Sequence, residues 1–91
     1  MKIFTIGRKD TLILIQDKDS QISRLHAELT VSDKNTYYLV DCGSSNGTYL
    51  KRQGAWKAIR QEFVTEGDEV RFGNNHVTSV HEMLRQVGHA R

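Results

Sequence analysis

The chain has no proline, one cysteine (Cys42) and no apolar run near the ~20 residues a membrane helix needs. Each shortage excludes something. A single cysteine forms no internal disulfide, which fits a reducing compartment. The segment Met1-Lys2-Ile3-Phe4-Thr5-Ile6-Gly7-Arg8 lacks the apolar stretch of a signal peptide. The expectation is a soluble, cytoplasmic protein that does not engage a membrane. One sign of charge is not in large excess: 13 Lys and Arg face 11 Asp and Glu, a net +2. That argues against a nonspecific nucleic-acid coat. His26, Cys42, His76, His81 and His89 show no metal-ligand spacing, so neither a metal nor another cofactor is expected. At 91 residues the chain makes one small domain and leaves no room for a large enzyme. With 37% hydrophobic residues and low net charge it is not a disordered composition either.

What is present favours strands. Ile, Val and Thr number 6, 7 and 7, so 20 of 91 residues are β-branched. Short apolar runs are broken every 8–12 residues or so by turn residues, the rhythm of an all-β sandwich or barrel. Lys2 to Ile6 reads as a strand, and Thr11 to Ile15 as a strand buried on both faces. Ala27, Leu29 and Val31 alternate with Glu28 and Thr30, a half-buried strand. It pairs across Asp33-Lys34-Asn35 with Thr36 to Asp41. Further strands are predicted at Thr48 to Leu50, Trp56 to Ile59, Glu62 to Val64, Glu69 to Phe72 and His76 to Val80. The reading is an antiparallel two-sheet β-sandwich over residues 1–80, with residues 81–91 a C-terminal strand or short helical tail.

Three loops carry the chemistry: Gly7-Arg8, Ser23-Arg24-Leu25-His26 and Ser45-Asn46-Gly47-Thr48. A sandwich can gather such loops at one end. Together they offer two guanidinium groups, two serine hydroxyls and one carboxamide, with no carboxylate in the three motifs. That donor set suits an oxyanion. Arg presents a fixed fork that fits phosphate oxygens, and hydroxyls and loop amides can serve the rest. Asn46 has donors and an acceptor with which to grip an extended peptide backbone.

The order Gly-Arg, Ser-x-x-His, Asp-x-x-Ser-Ser-Asn-Gly-Thr resembles the forkhead-associated (FHA) domain family. The resemblance runs from about Lys2 to Val80 on Gly7, Arg8, Ser23, His26, Asp41, Ser45, Asn46, Gly47 and Thr48. The Gly67-Asp68 turn and the segment Val70-Arg71-Phe72-Gly73 extend it. It implies a non-enzymatic signalling module that binds phosphothreonine in an extended segment of another protein, such as a Ser/Thr kinase or its substrate. Capture of phospho-motifs by Arg is a known mode of this family. By resemblance Arg8 is the principal phosphate ligand, Ser23 a hydroxyl donor, and Arg24 a variable phosphate or peptide contact. Ser45 lines the threonine pocket and Asn46 bonds the peptide main chain. His26 ties loops together, Gly7 and Gly47 permit turns, and Thr48 supports the site. The family commonly has a further strand before the position of Gly7, so an edge strand is expected to be missing or replaced by the tail after Val80.

Other readings stay open at this stage. The same fold could serve a phosphate-independent interaction through a sheet face. A small barrel could bind single-stranded nucleic acid. Ser23, His26 and Asp41 could be a hydrolytic triad, although no Gly-x-Ser-x-Gly elbow is present. Cys42 is read as a small buried or half-buried residue and not a reactive thiol. Tyr49 and Trp56 are read as packing residues, and Lys51 and Arg52 as solvated or as selectors of acidic residues beside the phosphothreonine.

Overall fold

A computed structural model describes residues 1–16, 18 and 20–89. Among these residues nine strands and one helix follow one another. They are β1 (Lys2–Gly7), β2 (Ile13–Leu14), β3 (Ala27–Val31), β4 (Tyr37–Asp41), β5 (Thr48–Arg52), β6 (Ala55–Ile59), β7 (Gln61–Val64), β8 (Glu69–Phe72), β9 (His76–Ser79) and α1 (Val80–Gln86). One sheet has the order β2-β1-β3-β4-β7 and the other β6-β5-β8-β9. The protein is a two-sheet β-sandwich, antiparallel except where β1 and β2 run parallel.

The β3–β4 hairpin shows why the alternating pattern was informative. Ala27, Leu29 and Val31 point into the core, and Glu28 and Thr30 do not. Register pairs Leu29 with Leu39 and Val31 with Tyr37, so both strands present their apolar faces to the same layer. Leu50, Val70 and Phe72 close the core from the second sheet.

The segment at 11–15 departs from expectation. Only Ile13–Leu14 is a strand, and it is buried on one face alone. Ile13 is fully covered, while Leu12 and Leu14 are 60% and 46% exposed. The reason is the architecture: in a two-layer sandwich the outward side of a strand faces solvent, and β2 in addition lies at a sheet edge with one neighbouring strand. Its free edge is closed by the helix. The Leu14 N–H donates to Gln86 Oε1 at 3.0 Å, and Gln86 Nε2 donates to the Leu14 carbonyl at 3.3 Å. One carboxamide thus stands in for a neighbouring strand and removes an edge open to pairing.

Of the tail expected at residues 81–91, the part to Gln86 is helical in α1, which begins at Val80, and residues 90 and 91 lie outside the described residues. The Ser79 hydroxyl caps it by accepting the Glu82 N–H at 3.1 Å. Val80, Met83 and Leu84, at i, i+3 and i+4, are buried in the common core. The opposite edge, β7, is blunted in another way. The Phe63 N–H is taken by Glu62 Oε1 at 3.1 Å, and its carbonyl accepts Arg52 Nη2 at 3.4 Å.

Candidate functional site

The loops joining β1–β2, β2–β3, β4–β5 and β8–β9 meet at one end of the sandwich, and His26 is their hub. Its ring is fully buried. Nδ1 accepts the Ser23 N–H at 3.1 Å, and Nε2 lies 2.8 Å from the Gly47 carbonyl. An acceptor role at Nδ1 requires the Nε2–H tautomer, so Nε2 donates to Gly47. The main chain of His26 adds two ties, donating to Ile6 and accepting from Cys42. Phe72 meets the ring edge-on at 5.3 Å between centroids. Both ring nitrogens are engaged with backbone, so neither can take a proton from Ser23. The triad reading fails on this geometry.

Gly7 is required for a reason other than the expected turn. It ends β1, and a Cβ built there would lie 1.8 Å from the Arg24 carbonyl oxygen. The β2–β3 loop therefore sits directly on the backbone of β1. Gly47 does occupy the left-handed region, at φ 87°, as expected of a turn glycine.

This packing brings all five candidate ligands to one cleft. Arg8, Ser23, Arg24, Ser45 and Asn46 line a recess of about 300 Å³ with Ser20, Gln21 and Ile22. No described lining residue is a carboxylate. Arg8 is held by donation from Nε to the Ile22 carbonyl at 2.9 Å, which leaves both Nη groups without a partner among the described residues. Arg24 is exposed and likewise forms no ion pair among them. The Ser23 Oγ accepts the Ser45 N–H at 3.3 Å and keeps its own proton to donate. Asn46 gives one amide hydrogen to the Gln21 carbonyl at 2.9 Å, which orients the carboxamide and commits one of its donors.

Gln21 was not among the expected site residues. Its Oε1 accepts the Asn74 N–H at 2.7 Å across 53 residues of sequence. It braces the Asn46 loop against the β8–β9 turn. A lone Gln in a polar loop carries no local signal of that role.

Asp41 anchors the β4–β5 loop from below. Its carboxylate accepts the Thr48 hydroxyl at 2.7 Å, the Ser44 N–H at 3.0 Å and the Ser44 hydroxyl. Thr48 itself is fully buried. Burial alone pushes the Asp41 carboxyl up, but the bonds from Ser44 and Thr48 outweigh it and hold it below the usual range. A carboxylate lowered on folding stabilises the fold above its unfolded value, and this contribution fades as pH falls through the lower folded value. Asp41→Asn is expected to cost about 2–3 kcal/mol at pH 7. The gap to wild type should narrow below about pH 4. Urea unfolding at pH 7 and pH 3 measures it; a gap that does not change with pH contradicts the assignment.

The remaining expectations divide. Cys42 is half-buried, and burial with the nearby Glu28 and Asp41 carboxylates raises its thiol, the opposite of a reactive cysteine. Arg52 does not face the cleft. Its Nη1 pairs with Asp68 at 2.8 Å, at the opposite end of β5 from Asn46. Tyr49 and Trp56 are only half-buried, with cations stacked on them. Among the described residues no group of three His, Cys, Asp or Glu could hold a metal, and no helix is long and apolar enough to cross a membrane.

Two sheets, with four loops at one end around a cationic, hydroxyl-rich cleft, define a class, and the family profile of the FHA domain matches residues 4–73. The chain belongs to the FHA family. It is 40% identical over 55 residues to the glycogen accumulation regulator GarA of Mycobacterium tuberculosis, which is 60% of this chain and 31% of that protein. The match thus spans under a third of the length of that curated relative. Among solved structures it resembles Mycobacterium tuberculosis EmbR in complex with a low-affinity phosphopeptide. The TM-score is 0.68 at 25% identity, over 85% of this chain and 19% of that one. A structure from an analysis of phosphothreonine-dependent FHA domain interactions matches with TM-score 0.66 and 28% identity, over 82% of this chain and 70% of that one. FHA domains are interaction and regulatory modules, not enzymes.

Proposed function

We propose that this domain binds phosphothreonine in an extended segment of another protein, a Ser/Thr kinase or its substrate, and docks the two reversibly. The observation that carries the reading is the cleft itself: two guanidinium groups, two hydroxyls and a carboxamide, with neither an ion pair to those arginines nor a lining carboxylate among the described residues. A phosphate with about −1.5 to −2 charges satisfies that excess of donors. Phosphopeptide and phosphothreonine recognition by the similar EmbR and FHA structures supports it.

The roles are those that the resemblance to the FHA family implies, and the donors present fit them. Arg8, pinned at Nε, offers both Nη groups to phosphate oxygens, and Arg24 supplies a second charge at the rim. Ser23 donates its hydroxyl. Ser45 stands beside the threonine side chain. Asn46 keeps its carbonyl oxygen for a main-chain N–H of the peptide. A phosphate-independent contact through the face carrying Phe63, 66% exposed, would leave unused the two arginines that form no ion pair among the described residues.

Isothermal titration with one peptide in three forms tests the proposal. The phosphothreonine form should bind and the unphosphorylated form should not. The phosphoserine form should bind about fourfold more weakly if the methyl group is fully buried, a difference of ~0.8 kcal/mol. Equal affinity for the phosphorylated and unphosphorylated peptides refutes the function. Equal affinity for the two phosphopeptides refutes only a closed methyl pocket.

A further inference from the structure

The outer face of the second sheet carries a ladder of cations and aromatic rings that runs up to the cleft. Strand alternation puts Tyr49 and Lys51 on one face of β5. Register sets Arg71 of β8 opposite Tyr49, and Trp56 of β6 opposite Lys51. The Arg71 guanidinium carbon lies 4.2 Å from the centre of the Tyr49 ring and 5.2 Å from that of Trp56. Lys51 Nζ lies 5.8 Å from the Trp56 ring. The ladder touches two of the four loops at that end. The Tyr49 hydroxyl donates to the Asn46 carbonyl at 3.3 Å, and Arg71 Nε donates to the Gly73 carbonyl at 2.9 Å. Gly73 in turn donates to Gly47.

Arg71 is prepared for a ligand that the structure does not supply from within. Two rings lie against the guanidinium and Gly73 takes Nε, so the Nη groups are what remain to present. Neither Arg71 nor Lys51 forms an ion pair among the described residues, in contrast to Arg52 and Arg85. The carboxylate nearest in sequence on that face, Glu69, is one pleat further from the cleft. A guanidinium already immobilised by stacking loses little further freedom on binding, and its edge matches a carboxylate in bidentate fashion.

We propose that this ladder is a second contact for the segment held in the cleft, and that it accepts an acidic side chain flanking the phosphothreonine. Arg71 is the direct ligand and Lys51 adds charge beside it. The proposal rests on the phosphothreonine reading above and adds the class of sequence preferred. The occupant follows from charge complementarity and from continuity with the Asn46 loop.

The test uses three phosphothreonine peptides, one with alanine and serine flanks, one with aspartates before the phosphothreonine and one with aspartates after it. Wild type should bind one aspartate peptide about fivefold more tightly than the neutral one, the upper end for one exposed ion pair. Arg71→Gln should abolish that gain and leave the neutral peptide within twofold. Lys51→Gln, a change at an exposed position, should remove a smaller part of the gain and reads the ladder independently should Arg71→Gln loosen the fold. No preference in wild type, a gain that survives both variants, or equal weakening of neutral and acidic peptides in Arg71→Gln overturns the proposal. In each of those cases phosphothreonine binding itself persists. If wild type ignores the phosphate, the cleft reading falls and this one with it.

Discussion

Arg8→Ala is expected to weaken phosphothreonine peptide binding by between about tenfold and more than a hundredfold. Each hydrogen bond to a charged group nets roughly 1.5–3 kcal/mol, and each ~1.4 kcal/mol is a factor of ten. The side chain is exposed and anchored by a single bond to the Ile22 carbonyl, so its removal should change folding stability by less than about 1 kcal/mol. Separation of the two effects is the point. A variant that melts like wild type but does not bind has lost a ligand, not a scaffold. Arg8→Lys keeps the charge but not the planar fork or the Nε anchor, and should recover only part of the affinity. Titration calorimetry beside thermal melts makes the comparison. An Arg8→Ala protein within twofold of wild-type affinity would remove Arg8 from the site.

His26→Ala should do the reverse, acting first on stability. The part-buried Ser23 N–H loses its acceptor, and the Gly47 carbonyl loses one of its two donors, the other being Gly73. The edge-on contact with Phe72 also goes, leaving a cavity. Together these amount to about 3–5 kcal/mol. A domain of this size has roughly 5–14 kcal/mol in total. The melting temperature should fall by at least about 12 °C. Peptide affinity should fall too, because Ser23 and the Asn46–Gly47 turn are positioned through this ring. Denaturant unfolding checks it, with His26→Gln as the partial replacement that can reach one of the two partners. A cost below about 1 kcal/mol would mean the loops hold one another without the imidazole.

Legibility in the sequence tracked the range of the interaction involved. Ala27, Leu29 and Val31 announced β3 because a strand with one buried face writes its period into neighbouring residues. Arg8, Ser23 and Asn46 stood out because few residue types can serve an oxyanion. Other features left no local trace. The shortness and edge position of β2 depend on what lies beside it. Gln86 closing that edge joins residues 72 apart in sequence. Gly7 looked like a turn residue, yet its constraint is the Arg24 carbonyl pressed against it. Arg52 and Arg71 each stand two residues before a glycine, on different strands. Only register across β5, β6 and β8 sends one to Asp68 and the other onto two aromatic rings.

From its residue order alone this protein is a two-layer β fold with three polar loops chemically matched to a phosphate, because alternation, turn chemistry and donor type act within a few residues. Folding alone decided that those loops meet in one cleft, that Val80–Gln86 is a helix packed into the core, and that an arginine held against two rings stands beside the site. Those outcomes are set by packing between segments distant in the chain, where steric contact and hydrogen-bond pairing choose among partners that no local pattern distinguishes.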